Sequence, residues 1–496
     1  MDKLEKIRRD IERTKKNELL RRILKYVCMC LGMAVIFIFC IMRLSGNRFD
    51  FINTDIKATG LLEVYSHPSG ANAHIYGNDG FYKGLRTNDE TVLDVGSYAV
   101  KFSRDGYRDW YKEVSLSKGQ VLWLNYAVMI PEIIKTDEVA NVTGPILDAK
   151  KTRDNKWILL ELGDFSQPTF DLLAVDDPTN VKITSFKIPD GVLSKPDADT
   201  SSKISIVEGD TSSRYYLLRH DFTATGAVTV EYIYFDRRDL KTFRNITRDF
   251  AIDIKNIAFS QRSDNQFYII DDNDHLRRID YGGQSMTAPL IEHVLKFTQY
   301  DDKLVSISLN DKQEKTVGIT YGNGKYRAIQ TYTDKLITDA YFTNYYNVEY
   351  LVILHGDRVE IVQRPLENSI KYLSTYKTDF TPEWISLNAS GRFILVGGRE
   401  KIDSYDQELK QHKKFSIAGL VQKPTWLDDF YLFVNVNGNG KVFEFDGDNL
   451  NEITDVAGMS SFALFSPNKR YLFSLGASTV SATDKTILQR SKLLVD

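Results

Sequence analysis

Phe465-Ser466-Pro467-Asn468-Lys469-Arg470-Tyr471-Leu472-Phe473 writes a strand, a tight turn and a second strand in nine residues. Proline presets φ at the second position of the turn, Asn or Asp tolerates the third, and Gly suits the fourth. The same shape returns upstream in Leu387-Asn388-Ala389-Ser390-Gly391-Arg392-Phe393-Ile394-Leu395. It returns again in Phe259-Ser260-Gln261-Arg262-Ser263 leading to Phe267-Tyr268-Ile269-Ile270, and in Trp426-Leu427-Asp428-Asp429 leading to Leu432-Phe433-Val434. A unit that repeats is the first thing to establish about a chain, because it sets the architecture.

Working outward, apolar runs begin at Trp157, Tyr215, Phe267, Leu304, Tyr350, Phe393, Tyr431 and Tyr471, separated by 58, 52, 37, 46, 43, 38 and 40 residues. That spacing suits a four-stranded antiparallel unit. Polar turns follow the buried runs, as in Asp271-Asp272-Asn273-Asp274 and Asn437-Gly438-Asn439-Gly440. One such sheet cannot cover both of its faces. Packing the sheets radially does, and it leaves only short edges. These repeats resemble the Phe-Ser-Pro-Asp-Gly repeats of periplasmic propellers of the TolB-like and WD40-like group. The resemblance implies a seven- or eight-bladed β-propeller over residues 140–496. The two long early gaps hold a polar stretch, Pro189–Ser213, expected as a surface loop.

Between residues 60 and 130 the pattern changes to a smaller module. In Ser97-Tyr98-Ala99-Val100-Lys101-Phe102-Ser103, Tyr98, Val100 and Phe102 share one face, the period of two of a half-buried strand. Turn signals such as Pro68-Ser69-Gly70, Gly77-Asn78-Asp79-Gly80 and Arg104-Asp105-Gly106 suggest a compact antiparallel sandwich. This segment resembles a PEGA domain. The resemblance rests on His67-Pro68-Ser69-Gly70-Ala71-Asn72-Ala73-His74-Ile75-Tyr76-Gly77, then Gly84, Gly96-Ser97-Tyr98-Ala99-Val100, Gly106-Tyr107 and the strand Gln120–Val128. It implies a non-catalytic extracytoplasmic module that contacts surface layers, glycans or neighbouring proteins. Two positions depart from the family. Asn88 follows Thr87 where a Pro is usual, and Val95 stands where a Pro usually precedes the Gly-x-Tyr element.

Ahead of both lies Tyr26–Met42, seventeen residues without a charge. A hydrocarbon core about 30 Å thick needs roughly 17–25 such residues in a helix. The flank Arg43-Leu44-Ser45-Gly46-Asn47 makes a poor signal-cleavage site, so the expectation is an uncleaved signal anchor over residues 26–44, with the lipid bilayer as its partner. Six Lys/Arg in residues 11–25 against three in residues 43–57 predict a cytoplasmic N-terminus and an outer C-terminal bulk. The expected order is a basic cytoplasmic tail (1–25), a transmembrane helix (26–44), a stalk (45–59), the PEGA-like sandwich (60–130) and the propeller (140–496).

The formal net charge is −3, and residues 1–25 carry ten basic and five acidic side chains, so the remainder is acidic. An acidic bulk has no basic stripe for a nucleic acid. All three cysteines, Cys28, Cys30 and Cys40, fall in the apolar run, so the outer region must be held by burial rather than disulfides.

The chemistry-bearing patterns are sparse. The seven histidines are scattered, without a His-x₃-His or His-Glu-x-x-His spacing, and there is no Gly-x-Ser-x-Gly elbow or phosphate-binding Gly-x₄-Gly-Lys loop. Asp271–Asp274 and Asp446-Gly447-Asp448-Asn449 space oxygen ligands as a Ca²⁺ loop would, but lack the downstream Glu; hairpin turns account for them. Trp384 and Trp426 are expected to pack between blades, an aromatic platform being the alternative. The repeats run almost to the last residue of this sequence, so a second catalytic domain is not expected. No catalytic, metal or ligand-binding residue is nominated, and no cofactor. The reading is a non-catalytic envelope binding or scaffold protein, mainly β, whose partner is an envelope protein or a cell-wall or surface glycan. The alternatives are an envelope hydrolase with its site in the propeller's central pocket, and a transmembrane sensor with a cytosolic partner.

Overall fold

The structure is a computed structural model that describes residues 2–50, 55–139, 142, 145–197, 200–322, 324–334, 336–368, 371–457, 461–477 and 486–494. The chain divides into two compact units, residues 1–132 and 133–496.

The first unit begins with one helix, Asp2–Leu44, that joins the basic tail to the apolar run without a break. No proline interrupts it, and 43 residues at 1.5 Å each give a length of about 65 Å. Within it Leu20–Met42, of mean hydropathy 2.4, is long and apolar enough to cross a membrane, and none of that span is buried against protein.

Two four-stranded sheets follow. One orders Asn47–Asp50, Asp55–His67 and Asp89–Asp94, with Val121–Val128 alongside Asp55–His67 in parallel. The other orders Tyr82–Arg86, Asn72–Gly77, Gly96–Ser103 and Trp110–Leu116. The alternation read from Ser97–Ser103 is the one observed: Tyr98, Val100 and Phe102 are buried and Ala99 is exposed. Phe102 stacks on Trp110 at 4.6 Å between ring centroids, and Leu62, Val64, Ile75 and Leu124 are also buried. The segment expected as a stalk is not a linker. Asn47–Asp50 and the start of Asp55–His67 form an antiparallel ladder, Asn47 opposite Ala58. Its polar composition hides this, because the order comes from pairing with a longer strand.

The second unit is built from eight four-stranded antiparallel sheets among the described residues. Seven take their strands consecutively, spanning residues 146–186, 203–245, 254–286, 294–332, 337–377, 384–416 and 425–455. The eighth takes Ala463–Phe465, Tyr471–Ala477 and Thr486–Lys492, and is completed at its outer edge by Lys135–Glu138. The propeller therefore starts before residue 140. Lys135–Glu138 is wholly exposed and polar on its own, and only the ladder it completes marks it as part of this unit. Each of the eight apolar runs found in the sequence is the second strand of one sheet.

Apolar side chains join every sheet to the next. Leu159, Leu172, Leu218 and Phe235 fill the space between the first and second sheets. Leu217, Ile257 and Phe267 do so between the second and third, Ile270 and Leu304 between the third and fourth, and Ile319 and Leu351 between the fourth and fifth. Val352 and Ile394 follow, then Phe393 stacked on Phe445 at 3.8 Å, then Tyr431 beside Phe465. Leu464, Phe473 and Leu488 of the last sheet pack on Ile158 and Leu160 of the first. The last sheet thus packs on the first, and the strand Lys135–Glu138 completes it.

The stretch Pro189–Ser213, expected as a surface loop, contains Lys203–Gly209, the first strand of the second sheet, with Ile204 and Ile206 buried. Serine and aspartate on both sides masked two core residues. In the connection ahead of this strand, Ser194 is tied down. The buried Glu231 carboxylate accepts from the Ser194 N–H at 2.8 Å and the Ser194 hydroxyl at 2.9 Å.

Candidate functional site

The first strands of neighbouring sheets lie side by side, as 146–151 does with 203–209, and 337–345 with both 294–300 and 384–387. They enclose the centre of the propeller. Polar groups there need partners, since an orphaned buried donor or acceptor costs about 1–3 kcal/mol. They find them on other inner strands. The Phe259 N–H donates to Glu208 Oε1 at 3.1 Å, and Thr298 Oγ1 donates to the Ala340 carbonyl at 2.8 Å. Lys423 Nζ donates to the Ile385 carbonyl at 2.6 Å, and Trp426 Nε1 to Ser386 Oγ at 3.0 Å. Lys296 pairs with Asp339 at 2.9 Å.

A cavity of about 850 Å³ opens among residues 148–153, 155, 207–209, 389, 422, 425–429 and 461–463. It draws on the first, second, sixth, seventh and eighth sheets and on the turns that leave their first strands. Its size falls in the range of small-molecule sites, about 300–1,000 Å³. Lys151 crosses to the Trp426 carbonyl at 2.9 Å. Burial pushes its ammonium down to about 8, against the pull of Asp428. Burial likewise pushes the Glu208 carboxyl up, although the Phe259 N–H pulls it back.

The other cavity carboxylates are engaged. Asp428 Oδ1 accepts from the N–H groups of Phe430 and Tyr431, both at 2.8 Å, and its Oδ2 accepts from Lys469 Nζ at 2.5 Å. Asp429 Oδ1 accepts from the Ser390 N–H at 2.9 Å, and Asp148 Oδ1 from the Ala149 N–H at 2.8 Å. The site thus combines an amine whose proton is held less tightly than usual, one carboxyl with raised affinity for its proton, the edge of Trp426 and main-chain groups.

A related turn device, with its bond from farther along the chain, is repeated in four other sheets. Thr152, Asp210, Asn388 and Ser466 each accept a hydrogen bond from the N–H five residues on, at Trp157, Tyr215, Phe393 and Tyr471, at 2.7–3.1 Å. The fourth residue of each turn is left-handed: Asn155, Ser213, Gly391 and Lys469 have φ of 56°, 59°, 74° and 53°. Only one is glycine. The signal that finds this turn is a short polar side chain five residues before an aromatic, and it recovers units that a Ser-Pro-Asn pattern misses.

The remaining sequence candidates are structural. Asp271 Oδ1 accepts from the Asn273 and His275 N–H groups at 3.0 and 2.8 Å, and its Oδ2 from Arg277 at 2.7 Å. Asp446 and Asp448 share Lys413. Among the described residues no three His, Cys, Asp or Glu side chains come together as a metal would require. The histidines remain apart, each local to its own sheet: His220 on Glu231, His355 on Asp334, His412 on Asp403. Trp426 joins two inner strands and also lines the cavity. The Trp384 ring fills the space where Gly397 lacks a Cβ.

In the small module Thr87 Oγ1 accepts from the Gly70 and Ala71 N–H groups, both at 3.0 Å, and shares a 2.7 Å hydrogen bond with Ser66. One threonine therefore holds the Pro68-Ser69-Gly70-Ala71 turn in place. Residues 59–130 match the PEGA domain. The two departures of this PEGA module from the family pattern have backbone causes. Asn88 sits at φ 74°, which proline cannot adopt, and the Val95 N–H donates to the Ala58 carbonyl at 3.0 Å, a bond proline would lose.

No curated protein sequence matches the chain. Among solved structures, the β-propeller domain of Cps50 (Swd1) from Myceliophteria thermophila is 13% identical at a TM-score of 0.39, covering 73% of this chain and 100% of its own. The dihydro-heme d1 dehydrogenase NirN is 9% identical at 0.43, covering 78% of this chain and 73% of its own. The uncharacterized protein lmo1340 from Listeria monocytogenes EGD-e is 13% identical at 0.37, covering 66% of this chain and 92% of its own. The architecture itself rests on the strand pairing described above.

Proposed function

We propose that this is a single-pass envelope protein whose N-terminus is cytoplasmic and whose helix anchors a PEGA module and a propeller outside, as a non-catalytic binding or scaffold protein for protein or glycan ligands. One observation carries the reading: a helix apolar enough to span a bilayer, unburied by protein, ends at Leu44, and the PEGA match begins at residue 59. The Lys/Arg excess ahead of the helix supports the orientation. The cavity end of the propeller is the proposed contact surface, because its polar groups converge on a space large enough for a ligand's side chain or sugar unit.

The test is protease accessibility in intact cells with an epitope on the C-terminus, followed by proximity labelling from the propeller. External cleavage and recurrent envelope partners are expected. An epitope protected until lysis would overturn the topology, and turnover of glycosides, esters or peptides by the purified chain would overturn the non-catalytic role.

A hydrolase reading keeps one support, the raised proton affinity of Glu208 at the cavity wall. Under that reading Glu208→Gln abolishes turnover while the fold persists.

A further inference from the structure

The outer face of the PEGA module's second sheet carries a strip of rings. Tyr76, Tyr82 and Tyr111 are 45%, 56% and 53% exposed, unusual for three tyrosines on one sheet face. Tyr76 and Tyr82 lie 5.4 Å apart, and His74 sits 6.5 and 6.0 Å from them. The cluster is fixed by hydrogen bonds: His74 Nδ1 meets the Tyr82 hydroxyl at 2.8 Å, and Nε2 meets Ser103 Oγ at 3.3 Å. In the same row of the sheet Lys101 lies 5.3 Å from the centre of the Tyr111 ring and pairs with Asp109 at 2.6 Å. The strip crosses four strands, about 14 Å at 4.8 Å per strand. Small residues, Gly84 and Ala99, keep it shallow.

Its chemistry selects an occupant. The charges on this face cancel, Arg86 and Lys101 against Asp109 and Glu113, so nothing draws a charged peptide or an anionic lipid surface. Rigid rings with hydroxyls on their rims suit a partner that offers apolar C–H faces and a periphery of hydroxyls. Tyrosine supplies such contact at low cost in conformational entropy. We propose that this face binds an uncharged β-linked polysaccharide chain, whose flat, extended form matches a shallow strip across four strands. The site is distinct from the propeller cavity and stands or falls separately from it.

The test is calorimetric titration of the full chain in detergent micelles with cellohexaose and chitohexaose, with α-linked maltohexaose for comparison. Binding of at least one β-linked hexamer is expected, with maltohexaose weaker and the affinity indifferent to salt between about 0.05 and 0.5 M. Tyr76→Ala/Tyr82→Ala is expected to weaken it at least about tenfold, and Tyr111→Ala about threefold, with an unchanged melting temperature. Trp123→Ala, on the other sheet and 54% exposed, is expected to bind as the parent does. Failure of both β-linked hexamers to bind overturns the proposal. So does binding that survives the double substitution, or that is lost only in Trp123→Ala, or a face that instead mediates self-association abolished by Tyr76→Ala/Tyr82→Ala.

Discussion

Thr136 and Ser491 stand 355 positions apart and share a hydrogen bond of 2.9 Å. They lie on the outermost and third strands of the last sheet, Lys135–Glu138 and Thr486–Lys492. Residues from the two ends of the propeller's sequence thus make one blade. This strand is where the fold is most easily tested. Just beyond it the Val139 N–H donates to the Leu488 carbonyl at 2.9 Å, and the Val139 side chain is buried against the first and last sheets. Val139→Pro removes the bond and disturbs the packing. A loss of about 2–4 kcal/mol is expected, with increased aggregation from the uncovered edge, measured by urea unfolding and light scattering.

The turn caps give a graded series. Asn388→Ala is expected to cost about 1–2 kcal/mol, since the Phe393 N–H loses its acceptor. Gly391→Ala is expected to cost more. At φ 74° its new Cβ would collide with the Asn344 carbonyl oxygen, so strain and collision add. Lys469→Gly relieves the backbone but gives up the ion pair with Asp428, so it is expected to be near neutral. Denaturation midpoints check the order.

Glu161 makes the stability depend on pH. It is fully buried in the first sheet, and neither carboxylate oxygen has a hydrogen-bond partner. Burial, with Asp148 beside it, pushes the carboxyl up to about 7 against the pull of Lys203. The folded state therefore keeps a proton that the unfolded chain releases near 4.5. Stability should fall as pH rises between these values, by on the order of 3 kcal/mol, and stay low above 7. Glu161→Gln should flatten the profile, its gain in stability growing as pH rises between about 4.5 and 7 and complete above 7. An unchanged slope in that variant would assign the dependence elsewhere.

Glu231 acts in the opposite sense. Burial pushes its carboxyl up, but the bonds from His220, Asn245 and Ser194 outweigh it and hold the group below its usual range. Its contribution is present above the ordinary carboxylate range and lost as acid protonates it. Glu231→Ala strands the buried His220 and Asn245 donors and frees the connection at Ser194. A loss of about 3 kcal/mol or more is expected, with new proteolytic cleavage between residues 187 and 202 seen by mass spectrometry.

Much of this was legible in the residues. The eight apolar runs locate the eight second strands because those strands, from Trp157–Leu162 to Tyr471–Ala477, are buried on both faces and read as continuous hydrophobic segments. Tyr98, Val100 and Phe102 declare a strand with one wet face by strict alternation. Tyr26–Met42 declares itself by length and lack of charge. Each of these signals is local, since burial of a whole strand or helix is written in the side chains that are buried.

The misses are segments whose order comes from elsewhere. Lys135–Glu138 has no buried side chain, and Asn47–Asp50 is short and polar; each is a strand because a distant strand offers it a ladder. Lys203–Gly209 carries Ile204, Ile206 and Val207 among polar neighbours, and becomes an inner strand because the first sheet covers the two isoleucines and Val207 packs towards the third. The cavity and the ring strip of the PEGA module are of the same kind. Lys151 and Trp426 are 275 positions apart, and His74, Lys101 and Tyr111 come from three strands. The sequence by itself determined the repeat, the module order and the apolar helix, because hydrophobic periodicity acts between near neighbours. Which ends meet, which side chains converge and which faces stay open to solvent were decided by closure of the ring and stacking of the sheets, interactions between residues that no window of sequence contains.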